Sequence, residues 1–266
     1  MDMKQKTKEK IWVYLEGFMQ GLVNKYDPKV IKDEVLEKAL FDPAKGNYKP
    51  FHMALIPKEL LRIQSFFRSF STSLGQGVFE YIAKIVAEDS RRWKEVKRNS
   101  KFKATASSNV ESFIDRFLED VALGRVKPYP VSLPKPEDDS TKEIVVDLYL
   151  YDGKTRYFIE IKSPKPNKDQ TRRTKEKFLY LLATYPDSKT YYGMPYNPYG
   201  EEKSKYRWSF TSMYFDLQNE VLIGSEFWDF IGGKGTYKEL LELFREFGEE
   251  KGKEITGRLI RGYSGG

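Results

Sequence analysis

EIVVDLYLYDGKTRYFIEIKSPKPNKDQ, residues 143–170, contains two runs of alternating apolar residues that meet at Asp152-Gly153. Alternation at period two marks half-buried strands, and Asp-Gly is a favoured pair for a two-residue hairpin turn. The spacing predicts strands over 143–151 and 154–162, with Tyr151 facing Lys154. Leu148 then opposes Tyr157, Val146 opposes Ile159 and Ile144 opposes Ile161, which gathers the apolar side chains on one face.

The other face carries charge. In this register Asp147 lies across from Phe158 and diagonal to Glu160, roughly 7 Å away at the backbone, with Lys162 two residues further on. Two carboxylates so spaced can share one divalent cation. Phosphodiester hydrolysis needs an activated water, a cation against the charge developing on phosphorus, and a donor near the attacking or leaving oxygen. Asp147 and Glu160 suit Mg2+, and Lys162 suits orienting the water, stabilising the transition state and helping to remove the water's proton. A solvated hairpin face would explain an isolated Asp and a Glu-x-Lys equally well. Against that, these strands are apolar enough to be central, and buried charge needs a reason.

The rest of the chain narrows the chemistry. Among its 266 residues are no Cys and one His, His52, so thiolate zinc sites, cysteine nucleophiles and histidine triads are excluded. Catalysis must run on carboxylates, Lys, Tyr or Ser. Lys plus Arg number 46 against 39 Asp plus Glu, a formal charge of +7 that tilts toward polyanionic partners. No apolar run is long enough to span a membrane, which predicts a soluble, cytoplasmic protein.

Before the hairpin, apolar residues recur mostly at helical spacing, as in Ile11, Trp12, Leu15, Phe18, Met19, Leu22 and Val23. Helices are expected over roughly 29–41, 57–70, 74–98 and 108–123, the last closed by Gly124. Residues 127–142 are a Pro-rich connector. A helix over 169–184, strands near 189–195, 207–215 and 220–223, and a helix opening at Gly235-Thr236 complete the pattern. This predicts an α/β fold, a mixed central β-sheet flanked by helices. One domain spanning 1–266 is expected: a mainly helical part to 125, an α/β core over 126–230 and a helical part over 231–266.

Asp147 and Glu160-Ile161-Lys162 resemble the PD-(D/E)XK nuclease superfamily, which places an Asp on one strand and Glu-x-Lys on the next. The Pro that often precedes the first acid is Val146 here. The resemblance covers mainly residues 143–185 and implies a restriction-endonuclease-like core that cleaves DNA with Mg2+. It also implies a further acid from a preceding helix. Glu80 fits, because Gly77, Ala83 and Ala87 leave its helix a narrow side; an ordinary exposed helical Glu is the alternative. SPKPNKDQ, YYGMPYNPYG and EFWDFIGG resemble type II restriction endonucleases, particularly a group cutting GGNCC-type palindromes. That likeness implies a homodimer on double-stranded DNA and a cognate DNA methyltransferase that protects the host.

Directly after Lys162, the segment SPKPNKDQTRRTKEK concentrates Lys165, Lys168, Arg172, Arg173, Lys175 and Lys177 to clamp phosphates or read bases, with Asn167 and Gln170 as possible base readers. Lys203, Lys205 and Arg207 offer phosphate contacts from a second polar, aromatic segment. The same charges would also suit a solvated helix face. Two other functions fit the same residues: a structure-selective repair or recombination nuclease, and a nucleic-acid-binding protein without hydrolytic activity.

Overall fold

The computed structural model describes residues 3–261. The last part of the expected C-terminal helical segment, residues 262–266, lies outside them, as do residues 1–2. The chain forms two compact units, one built from residues 76–239 with residues 3–4, the other from 5–75 with 240–261.

The second unit is helical. It holds α1 (Gln5–Asn24), α2 (Asp33–Leu40), α3 (Pro50–Leu55), α4 (Lys58–Ser73), most of α10 (Thr236–Phe247) and α11 (Lys253–Arg261). Ile11, Leu15, Leu22 and Val23 of α1 are buried, as their spacing requires. Arg62 is wholly buried and donates to the carbonyls of Tyr26 and Ile31.

The first unit carries the sheet. In chain order it holds α5 (Phe79–Ser90), β1 (Glu95–Thr105), α6 (Ser108–Ala122), β2 (Thr141–Tyr151), β3 (Arg156–Ile161) and α7 (Lys168–Thr184). There follow β4 (Lys189–Met194), α8 (Ser209–Tyr214), β5 (Val221–Ile223) and α9 (Ser225–Gly232). The sheet order is β1-β2-β3-β4-β5. β1, β2 and β3 pair antiparallel, whereas β4 and β5 run parallel to β3, so the sheet is mixed as the sequence predicts. Helix α7 makes the crossover between β3 and β4 that parallel pairing requires. Gly124, at φ +70°, ends α6 as expected.

Three expectations need correction. The hairpin loop has four residues, not two: Tyr151 pairs with Arg156 and Leu148 with Ile159. Asp152 Oδ1 accepts from the Lys154 and Thr155 amides, and this side-chain cap stabilises the longer loop. Because the slip is two residues, every side chain keeps its face. The helix expected over 74–98 stops at Ser90, and β1 follows it. That edge strand alternates exposed Glu95, Lys97, Lys101 and Lys103 with half-buried Val96, Arg98, Ser100 and Phe102. Charge on an edge deters pairing with other chains, and it also hides the strand from an apolar-pattern search. Finally, the strand expected over 207–215 is α8, whose buried Thr211 and Tyr214 are spaced three apart.

Candidate active site

The β2–β3 ladder ends at Leu148–Ile159, and a side chain takes over where the backbones part. Asp147 Oδ2 accepts from the Ile161 amide at 2.9 Å. Continuing the register places Asp147 level with Glu160 rather than diagonal to it. The Lys162 amide donates to the Gly193 carbonyl of β4 at 2.9 Å, which fixes the end of β3 from the other side. A Cβ on Gly193 would lie 2.7 Å from the Phe227 ring, so only glycine allows this close packing behind Lys162.

Lys162 Nζ lies 2.7 Å from Asp147 Oδ2 and 3.0 Å from Glu160 Oε2. Glu160 is 1% exposed, and charge-assisted hydrogen bonds at this depth compensate the lost hydration. Burial alone would lower the Lys162 pKa, but Glu160 and then Asp147 outweigh it and raise the group above its ordinary value.

Helix α7 supplies a lysine that the sequence reading did not place in this site. Lys177 Nζ donates to Glu160 Oε1 at 2.7 Å and to the Val145 carbonyl at 2.8 Å. In the sequence it is one of a run of basic residues, and nothing local distinguishes it. Asn99 was missed as well. It lies between the Arg98–Leu148 and Ser100–Val146 pairs, level with Asp147, and the ladder breaks there. Its φ of +49° is a conformation that Asn tolerates better than most residues.

Glu80 hydrogen-bonds to Asn99, and burial followed by the Asp147 charge pushes its pKa up. It therefore lies within electrostatic reach of Asp147 and Lys162. Among the described residues, however, no three His, Cys, Asp or Glu side chains converge closely enough to hold an ion together. The donors fit a hard divalent cation all the same. Asp147 takes both of its hydrogen bonds on Oδ2, and Lys162 Nζ touches an oxygen of each acid, so both carboxylates offer the oxygens that hard cations prefer.

The expected DNA-contacting residues fall into different settings. Lys165 lies over the Tyr199 and Trp208 rings, and Arg207 over Tyr199. The Tyr206 hydroxyl donates to the Pro164 carbonyl and the Trp208 ring to that of Pro166, tying the two basic segments together beside β3. Asn167 and Gln170 form a reciprocal capping box at the start of α7. Both are exposed, with the amide NH2 groups outside that exchange. Lys168 and Arg173 are exposed. Arg172 pairs with Asp115 and Glu176. Lys205 pairs with Glu202. Lys203, 12% exposed, is committed to the Val221 carbonyl and Glu226, where it pins its loop to β5 and α9.

Residues 3–248 match the family described as type II restriction endonuclease, HinfI. The type II restriction enzyme HgiEI of Herpetosiphon aurantiacus is 35% identical over 96% of this chain and 98% of its own length. HgiCII of the same organism is 32% identical over 98% of this chain and 100% of its own length. MjaII of Methanocaldococcus jannaschii is 29% identical over 77% of this chain and 64% of its own length. No solved structure gives a significant match. No helix among the described residues is long and apolar enough to cross a membrane. A match along nearly the whole length, over a mixed sheet that brings two acids and a lysine together, has one reading: the chain belongs to the HinfI family of type II restriction endonucleases, site-specific deoxyribonucleases that use divalent metal ions.

Proposed function

We propose that this enzyme uses Mg2+, held by Asp147 and Glu160, to cut both strands of a GGNCC-type palindrome in double-stranded DNA. The observation that carries this reading is the position of Lys162 Nζ, within 3.0 Å of a carboxylate oxygen of each acid. An acidic pair gripped by one ammonium, at the end of a sheet where two strands part, is a site for a cation and a phosphate group.

The bound ion supplies positive charge against the phosphate oxygens and a more acidic water. Asp147 holds its place through the Ile161 amide, so its second oxygen stays oriented. Lys162 donates from a charged group to the attacking water and to the oxygen that gains charge. Lys165 and Arg207, on their aromatic supports, lie in segments tied together beside the strand that carries Glu160, and they grip phosphates that set the register of the duplex. Lys168, Gln170 and Asn167, exposed at the start of α7, are placed to reach base edges or backbone.

A palindromic site presents two equivalent scissile bonds, so the working form is a homodimer with one centre per strand. Such an enzyme acts in the cytoplasm, where a methyltransferase of the same specificity must protect host DNA. The test incubates purified enzyme with supercoiled plasmid and Mg2+. Discrete fragments, none in EDTA and far slower to form with Lys162→Ala, are expected, and sedimentation should give twice the chain mass. Undiminished cutting by Lys162→Ala, or random degradation, would contradict the assignment.

A further inference from the structure

Glu160 holds an ammonium on each of its oxygens. Oε2 faces Lys162 Nζ at 3.0 Å and Oε1 faces Lys177 Nζ at 2.7 Å. Lys177 also donates to the Val145 carbonyl at 2.8 Å, so its charge sits between a carboxylate oxygen from β3 and a backbone oxygen from β2. Carboxylate and carbonyl oxygens are the donors that hard divalent cations choose. Phosphodiesterases that use two ions set them about 4 Å apart across the reacting phosphate. At this centre Glu160 Oε1 is already engaged, and the two carboxylates are matched by two lysines.

Lys177 is also held in place by its helix. The Asn167–Gln170 capping box fixes the first turn of α7. Two residues before Lys177, the buried Lys175 pairs with Glu220 and donates to the Pro128 carbonyl. The backbone that carries Lys177 therefore has little freedom to withdraw.

We propose that the Lys177 ammonium is a built-in substitute for a second metal ion, filling the position at Glu160 Oε1 so that the centre binds one divalent ion only. This rests on the reading of Glu160 as a metal ligand. The lysine neutralises the inner carboxylate and shares it between two strands, and the single ion is left to Glu160 Oε2 and Asp147.

The test uses Mn2+ alone, without DNA or turnover, titrated into the full-length protein and followed by electron paramagnetic resonance. Wild type and Lys177→Arg should each bind one Mn2+ per chain with the six-line spectrum of an isolated ion. Lys177→Met and Lys177→Gln, shown folded by circular dichroism, should take up a second ion and give the exchange-coupled spectrum of a pair. Two coupled ions in wild type overturn the proposal whatever the variants do, and so does a single ion in both folded variants. Glu160→Gln separates the causes. If it binds Mn2+ as wild type does, the metal assignment itself fails; if it loses the ion while Lys177→Met and Lys177→Gln keep just one, only the role given to Lys177 fails.

Discussion

Asp147 Oδ2 lies 2.9 Å from the Ile161 amide nitrogen, so a side chain closes the gap where the β2–β3 backbone ladder stops. The same oxygen meets Lys162 at 2.7 Å. One carboxylate oxygen thus braces the strand ends and pairs with Lys162.

This double duty separates two substitutions. Asp147→Asn keeps an oxygen for the Ile161 amide but loses the charge, and should retain wild-type stability within about 1 kcal/mol. Asp147→Ala loses the brace as well and leaves Lys162 with one partner, which should cost a further 1–3 kcal/mol or so. Both should cut plasmid at least about 1,000-fold more slowly. Urea melts beside a cleavage assay check this, and equal stability of the two variants would show that the brace contributes nothing.

Lys162→Ala should reduce the cleavage rate by about 100- to 1,000-fold, as expected for losing a preorganised donor to a developing negative charge. DNA binding measured in Ca2+ should stay within a few-fold of wild type. A large loss of binding with an unchanged single-turnover rate would make Lys162 a docking residue instead.

Basic residues on the two segments tied together beside β3 should differ in kind. If Lys165 and Arg207 contact phosphates, replacing both with Ala should reduce the slope of log affinity against log salt by about 1.8, or about 0.9 per contact. Lys203→Ala should leave the slope unchanged and lower the melting temperature, because that ammonium is spent on Val221 and Glu226. Fluorescence anisotropy at several salt concentrations measures the slopes.

Beneath α7, Lys175 and Glu220 form an ion pair in the core, with Lys175 1% exposed. Burial lowers the Lys175 pKa and raises that of Glu220, despite their mutual attraction. Lys175→Met alone should destabilise the enzyme by about 3–5 kcal/mol, since it strands a buried carboxylate. Adding Glu220→Leu should recover most of that loss, and a double mutant no more stable than the single one would show that the pair is not the cause.

The two acids and the lysine were legible because period-two alternation fixes which face each side chain takes, and even a misjudged turn left the faces intact. The turn itself was not legible, since the Asp152 side chain cap competes with the two-residue loop that Asp-Gly favours. β1 escaped because its half-buried positions mix Val96 and Phe102 with Arg98 and Ser100, so no unbroken alternation of charged and apolar residues marks it. Lys177 and Asn99 escaped for a different reason. Their importance comes from tertiary proximity to Glu160 and Asp147, and neither a helical lysine nor an asparagine in a polar run carries a local mark of it. Lys203 and Lys175 show the converse: each sits in a basic segment that suggests phosphate contacts, yet folding commits Lys203 to Glu226 and Lys175 to Glu220.

The most direct measurement is anomalous diffraction from crystals soaked in Mn2+. One strong peak per chain is expected, at bonding distance from a carboxylate oxygen of both Asp147 and Glu160 and beside Lys162. A peak bound elsewhere, with neither carboxylate touching the ion, would contradict this assignment.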